Sequence, residues 1–499
     1  MNTLIALIGS LPPVFATVPA PGEPGPVLTP QPEQSPAQQA PAVVVPTDTG
    51  FALPSWTPLE WVGYSSLVLL SLALTAIAVT TLWWMLHAWR SDGHLSRTAF
   101  AAESKPAHLS FTLLVPGRHE EEVMGQTLDT LAQQDHPDFE IIAIVGHDDP
   151  GTEAVARAAA ARHPHLIKVV VDDSVPKNKP KALNRALKVS RGDVVGVFDA
   201  EDEVHPRLLS LVDTKFADTG ADVVQGGVQL MNFRSSWWSL RNVLEYYFWF
   251  RSRLHFQAET GFIPLGGNTV FAKREWLDWS DGWDENCLAE DCELGVRFSS
   301  AGAKIVVAYS PEVATREETP GTLKSLYKQR TRWNQGFLQV LRKGEWRKLP
   351  TLRQRLFARY LLAMPFLQAA TGLVIPLSIV LILFIKVPTP IALLSFLPLA
   401  PTLVTIAVEI AGLGEFGRVY SIKPRARDYV RLVLGTFPYQ VFLALASVRS
   451  VVRQIRGINS WEKTEHSNLH RDATPAASVS ATSEPDSADL PVLVSGGAR

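Results

Sequence analysis

The sequence predicts an α/β domain with a mostly parallel, Rossmann-like sheet, joined to α-helical transmembrane segments. Short apolar runs alternate with helical stretches through the middle of the chain, which is typical of a doubly wound sheet. Long uncharged segments precede and follow that region, and they are long enough to span a bilayer. Polar residues follow the apolar runs directly, at the sheet edge where such folds bind ligands.

The bulk composition narrows the classes of partner. With 499 residues the chain can hold more than one domain. The formal net charge is −2, so nothing indicates nucleic acid as a partner. Cys287 and Cys292 flank an acidic pair, a spacing that fits neither a disulfide framework nor a metal site. We expect two buried thiols.

The two ends of the chain lie outside the predicted α/β domain. Residues 1–20 are apolar but lack a basic start, so a signal peptide, a membrane segment and neither all stay open. Residues 21–58 are rich in proline and form a predicted linker. Residues 467–499 are rich in Ser, Ala, Pro and acids, and predict a disordered tail.

Residues 59–90 contain the first predicted transmembrane helix. The stretch from Trp61 to His87 carries no charge and is longer than a bilayer core requires. The first Lys or Arg of the whole chain is Arg90, immediately after it. The positive-inside rule therefore places 1–58 outside and the following part in the cytoplasm.

Residues 108–345 form the predicted soluble α/β domain. Helical stretches at Gln126–Gln134 and Thr152–Arg162 separate the predicted strands. The strands lie in "SFTLLVPGRHEE", "FEIIAIVGHDDPGT", "LIKVVVDDS" and "GDVVGVFDAEDEV".

Residues 350–455 form predicted transmembrane and interfacial helices. Leu361–Ile385 and Val387–Val408 are uncharged and long enough to span, and basic residues flank the pair as in–out–in topology requires. Leu432–Val448 is shorter, contains Gly435 and Pro438, and breaks that order. A re-entrant or interfacial segment and a different number of spans both remain open.

Two acidic clusters are candidates for chemistry. Asp199, Glu201 and Asp202 follow a strand in "FDAED", where clustered carboxylates suit Mg²⁺ that takes its other ligands from substrate phosphates. Glu290 and Asp291 in "AEDCELG" suit a general base for an acceptor hydroxyl. A solvated acidic turn and a helix N-terminus are the respective alternatives.

Two basic stretches are candidates for phosphate binding. Lys179 and Lys181 precede a helix in "KNKPKALNRAL", a place that suits phosphate, although solvated lysines are the simpler reading. "KSLYKQRTRWNQG" joins Gln329, Arg332 and Trp333 on one predicted helix close to a membrane segment. Arginine forks bind phosphate, and a tryptophan face suits a sugar ring. A juxtamembrane helix that binds lipid headgroups is the alternative.

An aromatic-rich stretch, "SWWSLRNVLEYYFWFRSR" from Ser236 to Arg253, has helical spacing. Core packing is the usual reading of such a stretch. Contact with an acceptor or with the membrane interface also remains open.

In combination and in this order, the motifs resemble those of processive membrane-bound family 2 glycosyltransferases, the cellulose, chitin, hyaluronan and poly-N-acetylglucosamine synthases. The resemblance covers about residues 108–466. Glu201 stands in the second acidic position of the family's DxD motif, and Ala289 replaces the threonine of its TED motif. The segments that carry the resemblance are "HDD", "DAED", "LAED", "QRTRW", "LGGNTVF", "DGWDEN" and "WEKTEH".

The resemblance implies a GT-A type nucleotide-sugar domain and a set of donor-binding residues. Asp148 would hold the base or ribose, and Lys181 would lie near the nucleotide or diphosphate. Asp199 would contact both the nucleotide and a metal ion, Mg²⁺ or Mn²⁺. Glu201 would bind that metal, with Asp202 as a further metal residue.

The resemblance also implies catalytic and acceptor-side residues. Asp291 would be the general base with Glu290 beside it. Gln329, Arg332 and Trp333 would close over the diphosphate and line the acceptor end. The reaction would be one inverting displacement, without a covalent enzyme intermediate.

The implied partners are a nucleotide-diphosphate sugar such as UDP-glucose or UDP-N-acetylglucosamine, a glycan or lipid-linked acceptor, the bilayer of the plasma membrane and an accessory export subunit. A transferase that adds one sugar to a polyprenyl phosphate or other lipid is the first alternative, although the Q-x-x-R-W motif argues against it. A two-carboxylate glycoside hydrolase and a non-enzymatic membrane protein are the others.

Overall fold

The computed structural model describes residues 56–90, 98–384 and 387–462 of the chain. The predicted tail 467–499 and the predicted segment 1–58, up to residue 55, lie outside the described residues.

The soluble part is built on a mostly parallel seven-stranded sheet in the order β3-β2-β1-β4-β7-β5-β8. Only β7 runs antiparallel to its two neighbours, and β6 pairs with β9 in a separate two-stranded sheet. The fold class predicted from the sequence is confirmed, including its first four strands. The strands are β1 Phe111–Gly117, β2 Phe139–Gly146, β3 Ile167–Asp172, β4 Val194–Val197, β5 Val223–Gly226, β6 Val228–Leu230, β7 Val270–Lys273, β8 Ile305–Ala308 and β9 Thr315–Glu317.

Helices cover both faces of this sheet and continue into the apolar part of the chain. One π-helical turn, Trp249–Arg253, joins α7 to α8, and a 3₁₀ turn, Glu345–Lys348, follows α11. The α-helices are α1 Pro58–Met85, α2 His87–Arg90, α3 Met124–Leu131, α4 Pro150–Arg162, α5 Lys179–Leu187, α6 Leu208–Thr219, α7 Ser239–Phe248, α8 Leu254–Glu259, α9 Arg274–Trp279, α10 Glu290–Ala301, α11 Leu323–Lys343, α12 Leu352–Phe384, α13 Thr389–Ser395, α14 Leu399–Val419, α15 Ala426–Leu434 and α16 Thr436–Ile455.

The central strands are apolar on both faces because both faces are covered. In β1 the buried residues Phe111, Leu113 and Val115 pack with α3, α4 and α6. Leu114 points to the other side, where it packs with α5, α9 and α10. This continuous apolar pattern is what a buried parallel strand requires.

Two helical segments among the described residues are long and apolar enough to cross a membrane, Pro58–Met85 and Thr389–Val419. The first contains all of the predicted segment Trp61–His87 except its last two residues. The second contains all of the predicted segment Val387–Val408 except its first two residues. Helix α12 covers the predicted segment Leu361–Ile385 up to Phe384. The spans support membrane association of the chain.

The predicted segment Leu432–Val448 lies across a break. Helices α15 and α16 meet at Gly435 with a bend of 45°, and the pair counts as one further span only if both parts are taken together. The bend gives a physical reason why this segment did not fit a simple in–out order.

Helix α7 and the π-helical turn tie the soluble domain to the apolar helices. The Ser252 hydroxyl donates to the Trp84 carbonyl at 2.9 Å and accepts from the Ala88 amide at 3.0 Å. The Arg241 guanidinium donates to both carboxylate oxygens of Glu409 in α14, at 2.8 and 2.9 Å. The sheet domain and the apolar helices are thus linked by hydrogen bonds as well as by apolar contact.

Candidate active site

One cavity of about 700 Å³ lies at the carboxyl ends of the parallel strands. Its wall begins at Gly117, Gly146 and Asp172, the last residues of β1, β2 and β3. It continues past α11 to Trp84 at the end of α1 and Met364 in α12. The cavity therefore connects the ligand-binding edge of the sheet with the apolar helices.

Asp148 is not part of the cavity wall, but it contacts two residues that are. Its carboxylate accepts a hydrogen bond from Arg118 at 3.0 Å and has the Lys177 ammonium at 3.8 Å. Both cations line the cavity, whereas the Asp148 side chain is about two-fifths exposed beside them. The neighbouring Asp149 is buried and caps α4 through the Thr152 amide, so it has a structural role.

The structure places Lys179, rather than the predicted Lys181, against the cavity. Asn178 caps α5, which makes Lys179 the first helical residue and directs it to the strand ends. Its ammonium pairs with Asp199 and donates to the Gly267 carbonyl at 2.8 Å. The Lys181 ammonium instead donates to the Pro176 carbonyl at 2.9 Å, and Lys181 is not part of the cavity wall.

Burial alone would lower the pKa of Lys179, but the carboxylates of Asp199, Glu290 and Asp291 outweigh that effect and raise it. Lys179 is therefore a permanent cation between the two acidic motifs.

Asp199 and Glu201 line the cavity, and Asp202 does not. Asp202 is fully buried beneath the loop, where its carboxylate accepts from the Asp199 amide at 2.8 Å and from the Asn268 side chain at 3.1 Å. The prediction of Asp202 as a metal residue finds no support in this placement. The residue holds the loop that carries Asp199 and Glu201.

A second buried acid, Glu317 at the end of β9, completes this support. The Asn268 amide donates to both Asp202 and Glu317. Burial, and then the charge of Asp202, raises the pKa of Glu317. Burial beside Asp202 therefore favours the protonated form of Glu317, which reduces the repulsion between the two carboxyl groups.

The donor set fits a divalent cation that brings further ligands with it. Within the described ranges, no group of three or more His, Cys, Asp or Glu side chains is arranged to hold a metal. Asp199 and Glu201 alone face the cavity from this loop. Mg²⁺ is commonly held by one or two carboxylates together with water and substrate phosphates, and this pair fits that pattern.

Glu290 and Asp291 begin α10 on the opposite wall of the cavity. The Asp291 carboxylate accepts from the Cys292 amide at 2.7 Å. A Cβ on Gly267 would lie 3.0 Å from Asp291 Oδ2 and 3.7 Å from Lys179 Nζ. Gly267, which belongs to "LGGNTVF", therefore leaves space for the Asp291 carboxylate and the Lys179 ammonium.

The acidic pair is tuned towards proton transfer. Burial, and then the charge of Asp291, raises the pKa of Glu290 to about 7. Burial also raises the pKa of Asp291, while the Cys292 amide, Lys179 and Arg332 oppose the shift. A carboxylate whose pKa lies nearer the working pH is a better general base.

Helix α11 contributes two side chains that are ready to bind a ligand. Gln329 and Arg332 line the cavity, and in the part of the chain that the structure describes neither has a hydrogen-bond or ion-pair partner. The Arg332 guanidinium lies 4.3 Å from the centre of the Trp461 ring. Its fork is therefore oriented by stacking and remains available for phosphate oxygens.

Trp333 lines the cavity beside them, and the Arg330 guanidinium lies 4.8 Å from the centre of its ring. Arg330 itself is held by both oxygens of Glu245, at 2.8 Å each. Arg330 thus orients the aromatic face, while Arg332 keeps its hydrogen-bond donors available among the described residues.

Close packing fixes α11 against the acidic motif. A Cβ on Gly336 would lie 2.3 Å from Ala289 Cβ and 2.6 Å from the Ala289 amide nitrogen. The Gln339 amide oxygen accepts from the Leu288 amide at 2.8 Å. These contacts set the distance between Arg332 and the two carboxylates.

A C-terminal segment, residues 458–462, returns to the cavity. The Gln335 side chain donates to the Ile458 carbonyl at 2.8 Å. Glu462 pairs with Arg449, at 2.7 and 2.8 Å, and this pairing places Trp461 in the cavity wall. Residues 463–466 of the predicted "WEKTEH" segment lie outside the described residues.

Sequence reasoning missed several cavity residues. Asp172 ends β3 as Asp148 and Asp199 follow β2 and β4, so the same strand-end rule could have found it. Arg253 and Gln257 belong to, or follow, the aromatic-rich stretch, and only the fold shows that one face of it lines the cavity.

Comparison with known proteins identifies the family of the α/β domain. Residues 106–336 match the family model described as "Glycosyltransferase like family 2". These residues form a glycosyltransferase family 2 domain, and its fold is of the GT-A type.

Two curated relatives are similar over parts of their length. The beta-monoglucosyldiacylglycerol synthase of a Synechocystis species is 30% identical over 233 residues, 46% of this chain and 47% of that protein. The poly-beta-1,6-N-acetyl-D-glucosamine synthase of Staphylococcus epidermidis is 26% identical over 263 residues, 52% of this chain and 61% of that protein. The chain spans about half the length of the first of these relatives and somewhat more of the second.

Among solved structures, the mannosyltransferase PcManGT from Pyrobaculum calidifontis, in complex with GDP-Man and Mn²⁺, has a TM-score of 0.50 and 18% identity. The similarity covers 79% of this chain and 99% of that chain. At this level of identity it shows a shared fold.

Proposed function

We propose that the chain transfers a sugar, with inversion, from a nucleotide-diphosphate sugar to an acceptor presented at the membrane. The observation that carries this proposal is that Asp199, Glu201, Asp291 and Arg332 all line one cavity. Two carboxylates for a cation, a carboxylate with a raised pKa and a guanidinium for phosphate are the parts that such a reaction needs.

The donor lies at the strand ends. Asp148 beside the cavity wall is placed to bind the nucleoside, and Lys179, Gln329 and Arg332 surround the space for the diphosphate. In a partly dry cavity these donors stabilise the charge that develops on a departing diphosphate.

The residues Asp199 and Glu201 would hold the divalent ion. When bound, Mg²⁺ or Mn²⁺ supplies positive charge to the diphosphate oxygens. The structural relative crystallised with GDP-Man and Mn²⁺ is consistent with this assignment.

Asp291 acts as the general base. The acceptor hydroxyl gives its proton to an Asp291 oxygen while the acceptor oxygen bonds to the anomeric carbon. The bond from that carbon to the diphosphate breaks, and its electron pair leaves with the diphosphate. Because attack and departure are on opposite faces, the configuration inverts in this one step.

Two acceptors fit the proposal. A growing polysaccharide is the acceptor that the sequence motifs favour, and the relative named poly-beta-1,6-N-acetyl-D-glucosamine synthase supports it. A membrane lipid is favoured by the apolar end of the cavity at Trp84, Leu361 and Met364 and by the relative named beta-monoglucosyldiacylglycerol synthase. We favour the lipid acceptor, since the cavity wall includes apolar residues of α1 and α12.

The proposed location is the plasma membrane, with the catalytic domain in the cytoplasm where nucleotide sugars are made. Arg90 after the first span supports that orientation. An accessory export subunit belongs only to the polysaccharide version.

The test is release of nucleoside diphosphate by the full chain in lipid nanodiscs, across a panel of nucleotide sugars with Mg²⁺ or Mn²⁺. We expect release from one donor that stops on chelation with EDTA. Mass spectrometry of the product then separates one added sugar on a lipid from a polymer ladder. Release that is absent across the whole panel, with no donor binding by calorimetry, contradicts the proposal.

A further inference from the structure

One face of the helix that runs from Ser239 to Glu259 lines the cavity along its whole length. The face combines carboxylate, aromatic, cationic and amide side chains at helical spacing. At about 1.5 Å per residue it extends roughly 22 Å from its first cavity residue to its last. The cavity residues of this face are Asn242, Glu245, Tyr246, Trp249, Phe250, Arg253 and Gln257.

Three arginines share two carboxylates near this face. Two of them are paired, Arg330 with Glu245 and Arg241 with Glu409. The third, Arg253, has these same two carboxylates as its acidic neighbours. In the described part of the chain its guanidinium has no hydrogen-bond or ion-pair partner. The hydrogen-bond donors of Arg253 are therefore available to a ligand in the cavity.

Gln257, one helical turn after Arg253, is a second cavity residue whose side chain lacks a hydrogen-bond partner among the described residues. It is 1% exposed, and neither its amide nitrogen nor its amide oxygen has a hydrogen-bond partner within the described ranges. Gln257 follows Arg253 by four positions, so both lie on the same side of the helix. Buried polar groups of this kind are costly unless a ligand pairs with them.

Apolar residues of the cavity wall lie on the same helix and on α1 and α12. Trp249 and Phe250 line the cavity from the same helix, and Trp84 and Met364 line it from α1 and α12. The Ser252 hydroxyl fixes the π-helical turn to the Trp84 carbonyl at the end of the α1 span. An acyl chain suits these walls, and a charged group suits Arg253.

We propose that Arg253 and Gln257 bind the anionic headgroup of the acceptor lipid, a phosphate-bearing membrane lipid whose tails lie against Trp84, Leu361 and Met364. This assignment rests on the lipid-acceptor form of the proposed function. A phosphate pairs with the arginine fork in a bidentate manner, whereas a neutral glycan supplies no charge to pair with it.

The test uses the purified full chain in detergent and three probes in calorimetric titrations. Dioctanoyl phosphatidate carries phosphate and tails, dioctanoylglycerol carries the tails alone, and inorganic phosphate carries neither tails nor glycerol. We expect the phosphatidate to bind at least about 10-fold more tightly than either of the others, since a charge-assisted hydrogen bond contributes that much.

Arg253→Gln should lower phosphatidate affinity by roughly 10-fold or more, and Arg253→Lys by less. Arg359→Gln is the matched control, because Arg359 is an exposed arginine of α12 outside the cavity wall, and it should change nothing. UDP affinity should stay the same in all three variants.

Unchanged phosphatidate binding in Arg253→Gln would overturn the assignment. So would an equal loss in Arg359→Gln, which would indicate general surface attraction, or equal binding of dioctanoylglycerol, which would make the charge irrelevant. A loss of UDP affinity in Arg253→Gln would move Arg253 to the donor site. If the wild-type chain binds no nucleotide or nucleotide sugar, the proposed function fails, and the phosphatidate titrations still decide this assignment.

Discussion

At the scale of single residues, the site depends on which of two lysines faces the cavity. Lys179 and Lys181 have the same chemistry and stand two positions apart, and the sequence favoured Lys181 through a family resemblance. The cap at Asn178 decides otherwise, because it fixes where α5 begins. The sequence pattern identified this motif, but which of the two lysines faces the cavity depends on the contact that caps α5.

We predict that Lys179→Met lowers kcat/KM for the donor by roughly 30-fold or more, because the change removes a buried charge partner. It leaves Asp199 without its cation as well as removing charge from the diphosphate site. Lys181→Met is the matched control and should stay within about 3-fold of the wild type, since its ammonium bonds only the Pro176 carbonyl among the described contacts. Steady-state kinetics on both variants checks this, and equal losses would contradict the placement.

The second residue-scale prediction concerns Glu290, whose pKa is raised from 4.5 to about 7 by burial and by Asp291. Because folding raises this pKa, the stability that it contributes is complete below the unfolded pKa and is lost as pH rises towards 7. Glu290→Gln cannot ionise and escapes that loss. The Tm difference between this variant and the wild type should increase in favour of the variant by about 2–4 °C between about pH 5 and pH 8.

Thermal unfolding followed across that pH range measures the difference. A gap that stays constant with pH would show that Glu290 ionises in the folded chain near its ordinary pKa.

At the scale of elements, much of the fold could be predicted. The strands β1 to β4 each contain an apolar run with polar or turn residues after it, and such runs are strong local signals. Strand β7 has an equally apolar core, but its antiparallel position between β4 and β5 follows from tertiary packing. The cavity face of α7 and α8 was likewise hidden, because an aromatic helical face looks the same whether it meets a core or a ligand.

Helix α11 gives the element-scale prediction, since Gly336 allows it to touch the Ala289 backbone. Gly336→Ala should destabilise the chain by about 1–3 kcal/mol through overpacking and should lower activity further by moving Arg332 from Asp291. Gly63→Ala in α1 is the control, because a Cβ there meets nothing within 4 Å. Thermal unfolding and nucleotide release are measured on both, and a neutral Gly336→Ala would contradict the close contact.

At the scale of the whole molecule, ion pairs join the glycosyltransferase domain to the apolar helix α14. Arg241 donates to both oxygens of Glu409, and Arg251 pairs with Glu415 on the same helix. These arginines belong to the aromatic-rich stretch, whose role as a link no local pattern could show. The number of spans was equally beyond local reasoning, because the bend at Gly435 is a property of the packed helices.

Arg241→Met should therefore destabilise the chain by roughly 3–5 kcal/mol, because it leaves the Glu409 carboxylate without its partner. The double variant Arg241→Met with Glu409→Leu should recover more than half of that loss. Thermal unfolding in one detergent measures both. A double variant as unstable as the single one would mean that Arg241 acts through its other contacts, the Leu432 carbonyl and the Thr436 hydroxyl.

The central claim for the whole molecule is that Asp291 accepts the acceptor proton in a nucleotide-sugar transferase. The most direct test compares nucleoside diphosphate release by the wild type, Asp291→Asn and the control Asp278→Asn, an exposed acid of α9. We predict a loss of about 100- to 10,000-fold in Asp291→Asn with donor affinity retained, the range of general-base catalysis, and no change in the control. Release by Asp291→Asn at the wild-type rate, with the donor bound equally well, would contradict the account.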